Sequence, residues 1–379
     1  MERSASLPLL AHFARLDDPR VERTKRHPLV NILAIAISAV ICGAETWDDI
    51  EAFGEAKAAW FGEFLDLSGG IPSHDTFNRV FAALDPAQFR TCFAAWMAAV
   101  AAVLPAEVVA LDGKTVRRSH DRGAGKSAIH LVSAWATTNR LVLGQVKVDA
   151  KSNEITAIPD LLRALALTGC IVTIDALGCQ RAIAEQIRDQ GADYVLALKD
   201  NQGTLHQDVQ ETFARADADG WQGVAHDVAQ TVDKGHGRIE TRRAWVLTDA
   251  DHLAWLQAVH AWPGLAAVGR VEAERRIGAT RTVECRYYLL SRPLAAAAFG
   301  AAVRSHWGIE NQVHWVLDVV FHEDLSRIRA GAAAENMAVL RQIALAALRH
   351  TEVKRLSIKT KRLKAGWDHA FLLHLLRAL

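Results

Sequence analysis

Apolar positions in the first hundred residues recur with a helical period. Residues 28–43 form a strongly apolar segment that ends at a glycine, and shorter helical segments follow up to residue 67. Ser73 and the Asp85-Pro86 pair each precede a further helical segment, and both are frequent at helix starts. Short helices joined by tight turns are typical of helix-turn-helix DNA-binding modules, but they also suit a purely structural cap. We therefore predict a helical region over residues 1–104 with a DNA-binding or accessory role.

The period changes after Pro105, where apolar runs of strand length begin. The predicted strands are residues 107–112, 130–136, 141–149, 170–175 and 194–198, and the predicted helices between them are residues 154–167 and 180–190. Pro159 is expected in the first turn of its helix, where a missing N–H costs nothing. Three strands followed by helix, strand, helix and strand predict a mixed α/β sheet.

A strand-rich segment and then long helices follow this predicted sheet. Residues 201–294 are irregular at first and then carry β-branched and aromatic residues in three predicted strands, which are residues 239–247, 267–274 and 282–290. Helical spacing returns over residues 295–319 and 332–349. We therefore predict a β-rich insertion over residues 201–294, which divides an α/β domain into residues 105–200 and 295–379.

Composition excludes several classes of protein. Half of the 379 residues are apolar and 23% are charged, which is unlike a disordered or collagen-like chain. The most apolar segment, residues 29–42, is shorter than the roughly 20 residues that a membrane-spanning helix needs, and the first residues lack a signal-peptide core. The five cysteines form no CxxC pair. We expect reduced thiols, a cytoplasmic location and no membrane partner.

The charge is concentrated even though the net charge is only +1. Residues 326–379 hold eleven Lys and Arg residues against three Asp and Glu residues. The core of this excess is Lys354, Arg355, Lys359, Lys361, Arg362 and Lys364. A second basic run is Lys114, Arg117, Arg118, Arg122 and Lys126, opposed by Asp121. Such runs could neutralise DNA phosphates, or they could be ordinary solvated faces.

Carboxylates stand at the ends of two predicted buried strands. Asp112 ends the first of these strands and Asp175 ends the fourth. A carboxylate at such a position is costly without a partner or a metal, although each Asp taken singly could be a turn or cap residue. The polar residues that recur every four positions along the helix over residues 295–319, and so share one face, are His306, Glu310, His314 and Asp318. Three acids from two strands and a late helix would suit hard divalent cations and two-metal phosphoryl transfer.

The same helix allows a zinc interpretation, which is weaker. His306, Glu310 and His314 imitate zinc-ligand spacing, but they do not form an HExxH motif and no fourth ligand is evident. We interpret His314 as a polar contact near the site.

Ordered motifs along nearly the whole chain point to a known family. They are SHDTFNRVFAALDP (73–86), ALDGKTVRRS (110–119), HLVSAWA (130–136), KSNEITAIPDLL (151–162), TIDALGCQ (173–180), DYVLALKDNQ (193–202), GHGRIETRR (235–243), RSHWGIENQVHWVLDVVFHED (304–324) and KRLSIKTKRLKAGWD (354–368). With these motifs the sequence resembles the DDE transposases of bacterial insertion sequences, in the ISAs-type group that includes the H-repeat-associated proteins. The resemblance implies a ribonuclease H-like mixed sheet with a β-rich insertion, preceded by a helical region.

The resemblance also implies the catalytic residues. Asp112, Asp175 and Glu310 would be the catalytic acids, and each would ligate Mg²⁺, with Mn²⁺ as a possible substitute. Related transposases often place a Tyr, an Arg and a Lys around the Glu, but these positions are Val303, His306 and Leu317 here. This departure leaves Glu323 as the second candidate for the third acid and Asp318 as the third.

Further polar residues are expected to contact DNA, by resemblance and by chemistry. They are Lys114, Arg117, Arg118, Lys151, Asn153, Lys199, Asn201, Gln202, Arg238, Arg304, His306, Asn311, Lys354, Arg355, Lys359, Lys361, Arg362 and Lys364. Turn formation and hydration are the alternative roles for those near strand ends. His236 is a possible DNA contact. Trp221, Trp245, Trp307 and Trp315 could stack on an unpaired base or pack in the core.

The function that the resemblance implies is transposition of an insertion sequence. The protein would bind terminal inverted repeats of double-stranded DNA, hydrolyse the phosphodiester at the element end and transfer the 3′-OH strand to target DNA. Holding two ends together implies a homodimer in the DNA complex, associated with the bacterial nucleoid. The alternatives are a catalytically inactive or repurposed DNA-binding protein, and a metal-dependent nuclease without strand transfer.

Overall fold

The computed structural model describes residues 8–377 except 101–105, 121, 122, 124, 149–152, 236, 352, 354 and 355. Lys151, His236, Lys354 and Arg355, which the sequence suggested as DNA contacts, lie outside the described residues. In the described part of the chain, no single helix is long and apolar enough to cross a membrane, and two consecutive helices meet that test only as a pair bent by 99°.

The N-terminal region is helical, as predicted. Its helices are α1 (Pro8–Ala11), α2 (Leu29–Cys42), α3 (Trp47–Ala56), α4 (Ala58–Phe61), α5 (His74–Ala83) and α6 (Pro86–Val100). Helix α2 is buried along nearly all of its length and ends at Gly43, whose φ of 119° suits a residue without a Cβ. The Ser73 hydroxyl accepts a hydrogen bond from the Thr76 N–H, which caps α5.

The first five strands form the predicted mixed sheet, and two helices lie between them in the chain. They are β1 (Val108–Thr115), β2 (His130–Ala136), β3 (Leu141–Val148), α7 (Glu154–Arg163), β4 (Ile171–Ile174), α8 (Arg181–Asp189) and β5 (Asp193–Leu198). Strand β1 lies between β2 and β4. It pairs antiparallel with β2 and parallel with β4, which pairs parallel with β5. The predicted mixed sheet of parallel and antiparallel strands is therefore confirmed.

The segment that the sequence predicted as an insertion continues this sheet. Its elements are α9 (Gly203–Ala218), β6 (His226–Gly235), β7 (Arg238–Leu247), α10 (Ala250–His260), β8 (Ala267–Ile277) and β9 (Thr280–Leu290). Strand β9 pairs antiparallel with β5, so the nine strands run in the order β3-β2-β1-β4-β5-β9-β8-β7-β6. The sequence did not predict α9, α10 or β6. Strand β6 is exposed at nearly every position, and it therefore lacks the apolar alternation that reveals a strand.

The C-terminal helices complete the core. They are α11 (Ala296–Ile309), α12 (Trp315–Val319), α13 (Ala333–His350), α14 (Ile358–Trp367) and α15 (His369–Arg377). Helix α13 is buried along most of its length. It packs against α2, α5 and α6, so the N-terminal helices share one hydrophobic core with the sheet. A π-helical turn, Glu310–His314, separates α11 from α12 within the segment that the sequence predicted as one helix.

Pro159 lies deeper in its helix than predicted. Helix α7 begins at Glu154, after Asn153, whose side chain accepts a hydrogen bond from the Ile155 N–H at 3.1 Å. Pro159 is therefore inside the helix, and the expectation that it lies in the first turn is wrong. The Pro159 carbonyl accepts a hydrogen bond from the Gln186 side chain at 2.8 Å, which ties α7 to α8.

Two residues of the basic C-terminal run serve the fold. Lys361 is 7% exposed and donates to the carbonyls of Leu348 and Thr351, both at 2.7 Å. Arg362 is 6% exposed and donates to the carbonyls of Val320 and Val40. Because main-chain carbonyls occupy both side chains in the interior, the structure removes Lys361 and Arg362 from the expected DNA contacts. Lys359 is exposed and Lys364 is half-buried.

Candidate active site

The parallel pairing of β1 and β4 brings two carboxylates together. Leu111 of β1 is paired with Ile174 of β4, so Asp112 and Asp175 follow at the same edge of the sheet. Glu310, at the start of the π-helical turn, also approaches Asp112. Ligand atoms of Asp112, Glu310 and His314 all lie within 4.8 Å of one another.

The three acids line one cavity of about 390 Å³. Its wall also contains Lys199 and His306, which the sequence placed near the substrate. Arg286 and Tyr288 of β9 line it too, and sequence reasoning missed both, because neither lies in a recognised motif. The cavity therefore combines acids that could hold cations with basic groups suited to phosphates.

The surroundings of Asp112 disfavour its charged form. Its carboxylate accepts a hydrogen bond from the Gly113 N–H at 2.9 Å. Burial, together with the negative charges of Glu154, Asp175 and Glu310, raises its pKa to about 7. A divalent cation between these acids would relieve the repulsion, so the carboxylate set fits a hard cation.

This pKa predicts proton release when a metal binds. Below pH 7 a cation must displace the Asp112 proton, so the apparent affinity for Mn²⁺ should rise with pH until about 7 and then level off. The slope below pH 7 should approach tenfold per pH unit, the value for one displaced proton. Calorimetric titration at pH 6 and pH 8 measures this change, and Asp112→Asn should abolish it. Equal affinity at both pH values would contradict the prediction.

The loop after β4 holds Asp175 in place. The Asp175 side chain accepts hydrogen bonds from the N–H groups of Leu177 and Gly178, at 3.1 and 3.3 Å. The Asn201 side chain donates to the Ala176 carbonyl at 2.6 Å, and Gln202 donates to the Cys179 carbonyl at 3.0 Å. Asn201 and Gln202 were expected at DNA, but in the structure they brace the loop that carries Asp175.

Two histidines of the predicted polar face lie beside the acids, and burial lowers the pKa of each. His306 Nδ1 lies 3.0 Å from the Thr173 hydroxyl, and burial lowers the His306 pKa although Asp175 opposes the shift. His314 is 4% exposed, and its Nε2 lies 3.7 Å from Asp112 Oδ2. Burial, with the positive charges of Lys114 and His130, lowers the His314 pKa to about 4.

A fourth acid, Glu154, stands beside Asp112. Its carboxylate lies 2.6 Å from His130 Nε2, and His130 Nδ1 lies 2.7 Å from the Thr115 hydroxyl. The sequence analysis assigned no role to Glu154 or His130, because their contact depends on how α7 sits over β2. The available signal was Gly113 directly after Asp112, since a side chain there would occupy the space of this pair.

Gly113→Ala should therefore destabilise the fold. A Cβ at this position would lie 2.7 Å from His130 Nε2 and would collide with the Glu154 carboxylate. Overpacking of this kind typically costs about 1 to 3 kcal/mol, which urea unfolding would measure. Gly203→Ala is the matched control, because a Cβ there meets nothing within 4 Å. If Gly113→Ala is as stable as the unmodified chain, the Glu154–His130 pair does not occupy the space beside Gly113.

The two other candidates for the third acid form an ion cluster with Lys114. Lys114 Nζ lies 2.5 Å from Asp318 Oδ1 and 2.6 Å from Glu323 Oε2. Glu323 is 2% exposed, and Arg341 approaches it to 3.8 Å. Burial lowers the Lys114 pKa, but Glu323 and Asp318 raise it by more. Neither acid lines the cavity, and Lys114 already has two carboxylate partners, so this geometry favours Glu310 as the third acid.

The remaining predicted DNA contacts lie on the surface, several of them in ion pairs. Arg117, Arg238 and Arg304 pair with Asp324, Glu240 and Asp233, respectively. Arg118 is exposed, and Asn311 donates to the Trp307 carbonyl at 3.1 Å. Asn153 caps α7, as described above.

The four tryptophans divide into two pairs. Trp221 and Trp245 pack around Arg270, whose guanidinium carbon lies 5.9 and 4.1 Å from the respective ring centres. This agrees with the packing role that was one of their two predicted roles. Trp307 and Trp315 are about half exposed, at 49% and 55%. Trp307 lines the cavity and lies 4.9 Å below the Arg286 guanidinium. A ring in this position is available to stack on a base.

Comparison with known proteins gives a consistent result. Residues 104–347 match the family model described as "Transposase DDE domain", and residues 10–97 match "DDE_Tnp_1-associated". The protein YbfL of Escherichia coli strain K12 is 41% identical over 368 residues, which is 96% of each chain. "H repeat-associated putative transposase YhhI" from the same strain is 40% identical over the same length and coverage.

Among solved structures, the synaptic complex of piggyBac transposase with hairpin DNA covers 96% of this chain and 76% of its own. The identity is 8% and the TM-score is 0.43. The family assignment rests on the sequence matches, which extend over most of the chain. The chain belongs to the family of transposases that carry the DDE domain.

Proposed function

We propose that this chain is an insertion-sequence transposase that binds terminal inverted repeats, hydrolyses the phosphodiester at the element end and transfers the 3′-OH strand to target DNA. The observation that supports it most is the convergence of Asp112, Asp175 and Glu310 on one cavity. Both steps are displacements at phosphorus, so one site serves both.

The acids suit a pair of divalent cations, Mg²⁺ with Mn²⁺ as a substitute. Asp112 would hold one cation with Glu310, whose ligand atoms lie within 4.8 Å of its own, and would share the other with Asp175. Bound there, the cations would activate the attacking oxygen and stabilise the leaving 3′-oxygen. The Asp175 loop, braced by Asn201 and Gln202, and the rigid sheet edge would keep the donor oxygens at fixed spacing.

DNA would lie across the mouth of this cavity. Lys199 and Arg286 line it and are placed to neutralise phosphates beside the reacting bond. The exposed Arg117, Arg118, Arg238, Arg304, Lys359 and the half-buried Lys364 are proposed contacts farther along the duplex. For Arg117, Arg238 and Arg304, phosphates would replace the carboxylate partners. Trp307 would stack on a base displaced at the cut.

Joining two element ends to one target requires both ends to be held at once. We propose that two copies of the chain do this as a homodimer on DNA, in the bacterial cytoplasm at the nucleoid.

A joining assay separates this function from its alternatives. The substrate is a labelled duplex of the inverted repeat that flanks the coding sequence, mixed with supercoiled target plasmid and Mg²⁺. A transposase gives labelled strands joined to the plasmid. Released 3′-OH ends without joining would support a nuclease, and binding without either product would support an inactive DNA-binding protein.

A further inference from the structure

One buried nitrogen beside the acids is unexplained by the roles assigned so far. His314 Nε2 has no hydrogen-bond partner among the described residues, although the side chain is almost completely buried. Buried polar atoms in folded proteins are nearly always paired, and an exception is explained by strain, a catalytic role, a water or an ion. The atom is aimed at Asp112, at the centre of the proposed metal site.

We propose that His314 Nε2 is a ligand of the divalent cation shared by Asp112 and Glu310, and that this mixed nitrogen and oxygen set favours Mn²⁺ over Mg²⁺ at that position. The inference rests on the proposed function only in that a cation binds between these two acids.

The distances suit a shared ion better than a hydrogen bond. Two donor atoms that each lie roughly 2.1 Å from one ion are about 3.0 to 4.2 Å apart. The Nε2 to Oδ2 distance of 3.7 Å falls within this range and is too long for a hydrogen bond. The ligand atoms of Asp112, Glu310 and His314 are at most 4.8 Å apart. A small inward movement of one side chain would bring all three within bonding distance of one ion.

The chemistry of the imidazole agrees with this geometry. A metal ligand must offer a free lone pair, and no hydrogen bond from a described residue occupies that of His314 Nε2. Imidazole suits transition metals, whereas Mg²⁺ prefers carboxylate, carbonyl and water oxygens. A site made only of oxygen ligands would lack this preference for Mn²⁺ over Mg²⁺.

The backbone supports the same interpretation. Glu310 and His314 are the first and last residues of the π-helical turn. Such wide turns are rare and frequently occur at functional sites. Here the turn presents a carboxylate and an imidazole together towards Asp112 on β1.

Pulsed electron paramagnetic resonance of Mn²⁺ bound to the full chain tests the proposal without DNA or catalysis. We expect a ¹⁴N coupling typical of a ligating imidazole, and we expect ¹⁵N labelling of histidine to change it. The coupling should vanish in His314→Gln and persist in His306→Gln, the control histidine, which lines the cavity. His314→Gln should also weaken Mn²⁺ binding by at least about tenfold, with less than a twofold change for Mg²⁺.

The outcomes separate the two proposals. Bound Mn²⁺ without nitrogen coupling in the unmodified chain would overturn ligation by His314 and leave the carboxylate site intact, and this result needs no variant to fold. Loss of the coupling in His306→Gln instead would assign the ligand to His306 and overturn the proposal. If no Mn²⁺ binds at all, both the inference and the metal site of the proposed function fail.

Discussion

Glu310→Gln binds terminal-repeat DNA but cuts it at least about 10³-fold more slowly than the unmodified chain. Removing one carboxylate from the cation position costs several kcal/mol of transition-state stabilisation, and each 1.36 kcal/mol is a factor of ten in rate. Binding survives because Glu310 is an exposed acid that neutralises no phosphate. Single-turnover cleavage of a labelled repeat duplex measures the rate, and a gel-shift assay measures the binding.

Glu323→Gln is the matched control, since it removes a charge from the other candidate acid. Glu323 is buried against Lys114 and does not line the cavity. This variant should lose stability but cut DNA at a rate close to that of the unmodified chain at temperatures where it stays folded. The opposite pattern, with Glu310→Gln active and Glu323→Gln folded but inactive, would make Glu323 the third acid.

Lys114→Met should destabilise the fold by about 3 kcal/mol in the absence of DNA. Lys114 lies between Asp318 and the fully buried Glu323. Removing one partner of a buried ion pair leaves an uncompensated charge, which typically costs about 3 to 5 kcal/mol, and the nearby Arg341 offsets part of this cost. Urea unfolding of the metal-free protein measures the change.

The double variant Lys114→Met with Glu323→Gln tests the cause. Removing both charges should restore part of the lost stability, which a double-mutant cycle would show as coupling between the two sites. Unchanged stability in Lys114→Met, together with weaker DNA binding, would instead make Lys114 the phosphate contact that the sequence suggested.

The sheet could be predicted because its strands are buried on both faces. Strand β2 has the predicted bounds, and β1, β4 and β5 differ from their predicted ranges by a few residues at most. Strand β6 could not be predicted, since its exposed residues carry no apolar pattern. Pro159 illustrates a different limit: the helix begins at the predicted residue 154, but Pro159 is then its sixth residue and lies beyond the first turn.

The candidate site could be predicted only in part from the sequence. The parallel pairing of β1 with β4 ends at Leu111 and Ile174, which makes the closeness of the next residues, Asp112 and Asp175, a local consequence of the fold. Asp112 lies within β1, which continues to Thr115, so the expectation that it ends the strand is wrong. The contacts of the residues around the three acids depend on packing between segments that are distant in the sequence. The sequence shows that Lys361 and Arg362 are basic but not that interior carbonyls hold them. The sequence likewise contains His130 and Glu154 but does not show that their side chains are in contact.

The most direct test of the central claim is cleavage of a labelled duplex of the flanking inverted repeat by the full chain, with Mg²⁺ or Mn²⁺. The account predicts a cut at the element end that leaves a 3′-OH. It also predicts that Asp112→Asn and Asp175→Asn bind the duplex without cutting it. Binding by the unmodified chain with no cut in either metal would contradict the account.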